Sequence, residues 1–324
     1  MHQRLSTRRE FMRRIMGSAL AAVGAGALGL LFWDPRGPAV QTVAAESLSL
    51  PGFAVPGQAG KVAVAHGDDR AETVTLALKA LGGMASFVRP GDTVLLKVNA
   101  AFATPPMLGA TTHPLLVAKV AELCLQAGAG RVMVADNPIN DPAACLELTG
   151  IGPAASQAGA QVILPVTGRF ASYTLPGGQL LRHWPLFSEP LLQADKVIGL
   201  ATVKDHHRSG ASLAIKNWYG LLGGRRNIFH QQIHTILTEL ALMIKPTLVI
   251  LDGTRSMMTN GPTGGSVDDL KATNTMIAGT DPVAVDTLGA ALLGKSVKDL
   301  PYLSKAQAAG AGTVDYRSLH LFEV

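Results

Sequence analysis

Between positions 204 and 217 the chain sets Lys204, Asp205, His206, His207 and Arg208 in a row, then Ser209 and Gly210, then Lys216 and Asn217. Lysine and arginine in such a loop can hold an anion, and imidazoles that titrate near neutrality can move protons. His206 and His207 are therefore the proton-transfer candidates. Lys204, Lys216 and Asn217 are candidates for binding a substrate or cofactor. Lys97 falls inside the apolar run 92–98, where an ammonium is costly to bury without a counter-charge. It joins the binding set, with Asn99 two residues on.

His230 and His234 stand four apart, which on a helix puts both rings on one face and makes them candidate metal ligands. Gln231, Gln232 and Ile233 between them lack the glutamate of the zinc-protease pattern. Thr112 reads as a helix N-cap with Pro114 in the first turn, and Thr112 and His113 at that helix start could hold an anionic group. Asp252 precedes Gly253, and Asp281 reads as the cap of a helix whose first turn carries Asp286. Asp252 and Asp286 would orient the cationic groups, Asp252 as part of the catalytic set.

The elements that must position these side chains alternate along the chain. Apolar runs predict strands over 61–65, 92–98, 131–135, 161–165, 196–200 and 247–251. Apolar positions at helical spacing predict helices over 71–82, 113–127, 228–245 and 282–293, the third closed by Pro246. Residues 167–190 read as irregular, with a small β excursion. The fold class is α/β: a mostly parallel sheet with helices on both faces. Functional groups in such sheets gather beyond the carboxyl ends of the strands. Asn99, Asp136, His206, Lys216 and Asp252 are accordingly expected to converge on one cleft.

Several chemistries lose support. The glycines at 261, 264 and 265 do not form a phosphate-binding Walker loop, and no GxGxxG follows the first strand. Cys124 and Cys145 cannot supply the four thiolates of an iron–sulfur cluster, and Cys124 reads as a buried thiol. The basic balance, +5 overall, resides mostly at the start of the chain. Six of the 28 basic and two of the 23 acidic residues fall in residues 1–45, which leaves the remainder at +1. A nucleic-acid partner thereby loses its electrostatic argument.

That first segment has its own logic. Arg8 and Arg9 precede Phe11, Arg13 and Arg14 add charge, and an uncharged run from Ile15 to Trp33 follows. Val43, Ala44 and Ala45 offer small residues for a signal peptidase. Residues 1–45 are read as a twin-arginine signal peptide, 46–60 as a linker and 61–324 as the α/β domain. The expected partner is the twin-arginine translocase and the expected location periplasmic. Membrane attachment follows only if the signal is retained as an anchor.

In combination, Lys97, Asn99, Ala110–Pro114, Ala194, Asp195, Lys204, His206, Gly210, Lys216, Asn217, Gly220, Arg226, His230, Asp252, Gly253, Gly261, Pro262 and the stretch 279–286 resemble the domain of unknown function 362 family over about residues 60–312. That resemblance implies an α/β domain and adds Arg226 to the binding set. A fainter similarity is to nickel-dependent lactate racemase and its relatives, in which a histidine precedes a glycine-containing turn and a lysine ten residues on. His206 and Lys216 have that spacing. This similarity implies a lysine that binds a nickel-bearing nucleotide and histidines that transfer protons or bind nickel, so nickel or another divalent metal enters as an expectation. The first expectation is an exported enzyme acting on a small anionic substrate. Its rival is a non-catalytic binding or maturation protein for a periplasmic redox system.

Overall fold

Val62, Val94, Val132, Val134, Val197 and Ile198 lie in runs too apolar for a surface, and all are buried in strands of one sheet. The computed structural model describes residues 48–324, together with Arg8, Arg9, Met12, Met16 and Ser18. The chain divides into two units, Met1–Glu46 and Ser47–Val324. In the first, the five described residues are helical and exposed. The expected signal peptide otherwise lies outside the described residues. Among the described residues, no helix is long and apolar enough to cross a membrane.

The strands of the second unit are β1 (Lys61–His66), β2 (Thr93–Lys97), β3 (Arg131–Ala135), β4 (Gln161–Ile163), β5 (Phe170–Tyr173), β6 (Trp184–Phe187), β7 (Lys196–His206), β8 (Gly210–Ser212), β9 (Leu248–Met257), β10 (Leu270–Gly279) and β11 (His320–Glu323). The helices are α1 (Arg70–Ala80), α2 (Pro114–Gln126), α3 (Pro142–Leu148), α4 (Ile151–Gln157), α5 (Glu189–Gln193), α6 (Ala214–Asn217), α7 (Ile233–Met243), α8 (Pro282–Leu292) and α9 (Pro301–Ala308). The main sheet runs β11-β1-β10-β9-β7-β2-β3-β4, with β8 folded back on β7. Its five strands from β9 to β4 are mutually parallel, and β10 is antiparallel to both its neighbours. β5 and β6 form a separate antiparallel pair, the excursion expected between 167 and 190.

Period-two alternation divides the core. In β7, Ile198 and Leu200 face the layer that holds Val74 and Leu78 of α1 and Leu116 and Val120 of α2. Val197, Ala201 and Val203 face the opposite layer, with Ile236 and Leu240 of α7 and Val283 of α8. Fully burying each such side chain contributes about 1.5–3 kcal/mol, so burial rather than helix propensity docks these elements.

Several expectations need correction. β7 does not stop at 200 but runs through His206, because β8 pairs with its far end; Gly210, at φ 78°, makes the turn. Lys204 and His206 are thus strand residues rather than loop residues. β9 likewise runs on to Met257, so Asp252 lies mid-strand. The helix expected over 228–245 is a 3₁₀ segment, Arg226–Gln232, followed by α7, with Gln232 out of helical conformation (φ −129°, ψ 48°) between them. His113, not Thr112, caps α2: its Nδ1 accepts from the Leu115 N–H. The segment read as a linker lies against the domain, with Phe53 buried and hydrogen-bonded through its backbone to Lys245 and Thr247. Both cysteines are buried free thiols, and burial pushes that of Cys124 up to about 12.

Candidate functional site

Beyond the carboxyl ends of β2, β3 and β7 lies a cleft of about 1290 Å³. Its base is an ion pair. The buried Lys97 ammonium lies 2.7 Å from Asp136 Oδ1 and donates to the Val98 carbonyl (2.6 Å) and to Asn217 Oδ1 (3.1 Å). Asp136 Oδ2 accepts from the Ala100 N–H at 2.6 Å. Burial lowers the Lys97 pKa, and Asp136 opposes that shift. A Cβ at Gly220 would meet Asp136 Oδ1 at 2.0 Å and Lys97 Nζ at 2.7 Å, so only glycine lets that backbone close over the pair. Asn217 Nδ2 donates to the carbonyls of Lys97 and Leu200, tying α6 to β2 and β7. Asn99 lines the cleft beside them.

Above this neutralised pair stand cations with no carboxylate partner among the described residues. Lys204 is buried, donates to the Ala110 carbonyl and lies 5.9 Å from the Phe102 ring centroid. Burial, and next the charge of Lys216, push its pKa down to about 7. Lys216 makes no hydrogen bond or ion pair among the described residues; its ammonium lies 5.0 Å from the centroid of the Tyr219 ring. Burial and then Arg226 push it down to about 8. The Arg226 guanidinium is spent on carbonyls, donating to Tyr219, Leu222, Asn137 and Pro138. Arg208 and Arg225 also line the cleft, and Asp136 is the one carboxylate among its described lining residues.

Lys216 is positioned from behind. Asp286 is fully buried and lies outside the cleft lining; it accepts from the Ala214 N–H (2.7 Å), from the Ile215 N–H and from the Tyr302 hydroxyl (2.8 Å). It therefore fixes the start of the four-residue helix that carries Lys216. Burial raises the Asp286 pKa to about 7 against these bonds.

The imidazoles divide by tautomer, which hydrogen-bond partners dictate. His206 Nδ1 accepts from the backbone N–H groups of Arg208 (3.1 Å) and Ser209 (3.3 Å), so the neutral ring carries its proton on Nε2. Burial, then Lys216, push its pKa down to about 2, which keeps it neutral. His207 Nδ1 faces the Gly261 carbonyl at 3.3 Å and must donate to it, leaving Nε2 as an acceptor. His230 Nδ1 faces the Asn227 carbonyl at 3.1 Å and so is protonated too. Burial and then Lys216 lower its pKa. The rings stack, His206 lying 5.0 Å from His207 and 5.9 Å from His230.

The structure thus brings Asn99, Asp136, Lys204, His206, His207, Lys216, Asn217, Arg226 and His230 to one cleft, with Lys97 beneath. It does not bring Asp252, Thr112, His113 or His234 there. Asp252 continues the β9 face of Leu248 and Ile250, which packs on α1 and α2, and pairs with Arg70 at 2.8 Å. His113 lies by that pair and is pushed down to about 4 by burial and then Arg70. Thr112 bridges the Asn99 N–H and the Leu200 carbonyl. His234, past the break at Gln232, lies instead within the influence of Lys305. The proposed histidine pair therefore shares no helical face. Phe102 and Tyr219 were missed from the sequence, although Tyr219 follows Lys216 within the same short turn.

Among the described residues, no three His, Cys, Asp or Glu side chains gather so as to hold a metal ion. The lining cations repel a bare divalent ion, and Asp136, the one carboxylate among the described lining residues, is already engaged by Lys97 and the Ala100 N–H. The donor set does not fit a metal held by protein side chains alone.

A thylakoid-associated protein of Synechocystis sp. is 30% identical over 242 residues, 72% of this chain and 73% of that protein. The lactate racemase apoprotein from Thermoanaerobacterium thermosaccharolyticum is 11% identical, with a TM-score of 0.37, over 72% of this chain and 57% of that structure. Residues 94–291 match the family model described as domain of unknown function (DUF362). The chain belongs to the DUF362 family.

Proposed function

We propose that this chain is an exported protein whose cleft binds a small carboxylate or phosphate and transfers a proton on it. The observation that carries the reading is the pair of lysines, the buried Lys204 and the half-buried Lys216, which face the cleft and form no ion pair among the described residues. A buried ammonium without a counter-charge is costly, and a bound anion supplies that charge. In this reading Lys204 and Lys216 hold the acid group, and Arg226, whose terminal N–H groups stay on carbonyls, adds only its charge nearby. His207 Nε2 accepts a proton from the ligand, and the Nε2–H of His206 donates to the oxygen on which charge develops. His230 supports the stack. Asp286 and Tyr302 are positioning residues for Lys216. Nickel or another divalent ion belongs to this reading only within a ligand that brings its own anionic donors.

The test is calorimetric titration of the purified chain with a panel of small carboxylates and phosphates. At least one should bind, and Lys216→Ala should lose it while melting normally. A variant that melts several degrees lower yet binds as before would assign Lys216 to structure instead.

Export rests on Arg8 and Arg9 and on the uncharged run that follows; a thylakoid-associated relative is compatible with it. Replacing both arginines with lysine should strand the precursor in the cytoplasm. Normal export of that variant would remove the twin-arginine assignment.

A further inference from the structure

The cationic floor is only half of the cleft. Phe102 lies against Lys204, and Phe170 and Pro185, on the small β5–β6 sheet, form a wall in which the Phe170 ring stacks on Phe187 at 5.2 Å. The mouth is also apolar. Ile139 and Ile228 line it and remain 66% and 41% exposed. Pro165 lines it between Leu164 and Val166, which are 38% and 53% exposed. Arg226 brings the two isoleucines to the same end: its guanidinium binds the carbonyls of Asn137 and Pro138, just before Ile139, and Ile228 lies two residues beyond it.

Isolated exposed apolar side chains are ordinary on a protein surface, but a set that rims a concave site marks a ligand groove. A fully polar anion such as inorganic phosphate would use the floor and leave wall and rim wet. An apolar body alone would leave Lys204 and Lys216 without a counter-charge. One ligand type satisfies both ends.

We infer that the ligand of this cleft is an amphiphilic anion. One carboxylate or phosphate meets Lys204 and Lys216, and an attached apolar body runs along Phe170 and Pro185 and leaves between Ile139 and Ile228. This rests on the anion-binding reading above and narrows its ligand class. The same chemistry is offered by a free fatty acid and by the head of an anionic membrane lipid.

The test is titration of the full-length chain with acetate, butyrate, hexanoate and octanoate, with 1-octanol as the neutral control. Affinity should rise by about fourfold for each methylene that is buried, and octanol should bind far more weakly than octanoate. The double variant Ile139→Ser, Ile228→Ser changes only exposed side chains, so it should fold, and it should flatten the gradient. Equal affinity for acetate and octanoate would overturn the inference and leave the anion site standing. Octanol binding as tightly as octanoate, or no binding by any of these carboxylates or by octyl phosphate, would instead overturn the anion site itself. Co-sedimentation with phosphatidylglycerol vesicles, reversed by octanoate, would identify the amphiphile as a membrane lipid. Octanoate binding without co-sedimentation would identify it as a free acid.

Discussion

Two polar clusters lie on this sheet, and they are built on opposite principles. At the starts of α1 and α2, Arg70 meets Asp252 at 2.8 Å, and Asp252 Oδ1 also accepts from the Thr254 N–H. Its charge is compensated within the chain. In the cleft, Lys97 and Asp136 compensate each other in the same way, but Lys204 and Lys216 are left over. Both clusters combine cations, an acid and histidine, so residue type alone does not separate them. Charge balance does: a compensated cluster supports the fold, and an uncompensated one is poised for a ligand.

The largest contrast should appear on deletion. Asp252→Ala leaves Arg70 beside a buried gap and is expected to destabilise the chain by about 3 kcal/mol, as breaking a buried pair does, with anion affinity unchanged. Chemical denaturation and calorimetry on the same preparation check both halves. Lys204→Met should do the reverse. Anion affinity should fall on the order of 10- to 100-fold, the worth of a charge-assisted contact. The melting temperature of the ligand-free chain should rise by about 2–4 °C, the shift that about 1 kcal/mol gives in a chain of this size.

The response to pH sharpens the comparison further. Lys204 and Lys216 have folded-state pKa values of about 7 and about 8, below their ordinary value. Above pH 7 the unfolded chain therefore holds protons that the folded chain has released, and ligand-free stability should rise with pH through 7 to 8. Anion affinity should fall over the same window, because the receiving charges disappear. His206 works at the acid end: its folded pKa is depressed, so stability should be lost as pH drops below the ordinary histidine range. Melting curves and titrations at matched pH values would contradict this if stability and affinity moved together. The smallest expected effect is at Tyr302. Tyr302→Phe removes one hydrogen bond to Asp286, costs about 1–2 kcal/mol, and should weaken anion binding through a displaced Lys216.

Much of this was legible in the sequence, because strands buried on both faces read as continuous apolar runs; β3 was bounded at both ends. The cluster from Lys204 to Asn217 was legible as chemistry for a different reason: five polar or titratable groups follow an apolar strand. What was not legible depends on distant partners. Nothing near Asp252 says that β9 continues to Met257, or that alternation carries its side chain to the face where Arg70 waits. Nothing near His230 and His234 says that Gln232 leaves the helix between them. β10 was missed because much of its first half, from Lys271 to Asn274, is polar or exposed, and only its pairing with β9 and β1 holds it extended. Asp286 was singled out from its helix, but its task, fixing the start of α6, required knowing which backbone it meets.

The central claim is that Lys204 and Lys216 are uncompensated until an anion binds. Side-chain NMR titration of these two lysines tests it directly, assigned with Lys204→Met and Lys216→Met, before and after saturation with the tightest-binding anion. The account predicts midpoints near 7 and 8 in the ligand-free chain and a clear upward movement of both on binding. Midpoints near the ordinary lysine value in the ligand-free chain, unmoved by anion, would contradict it.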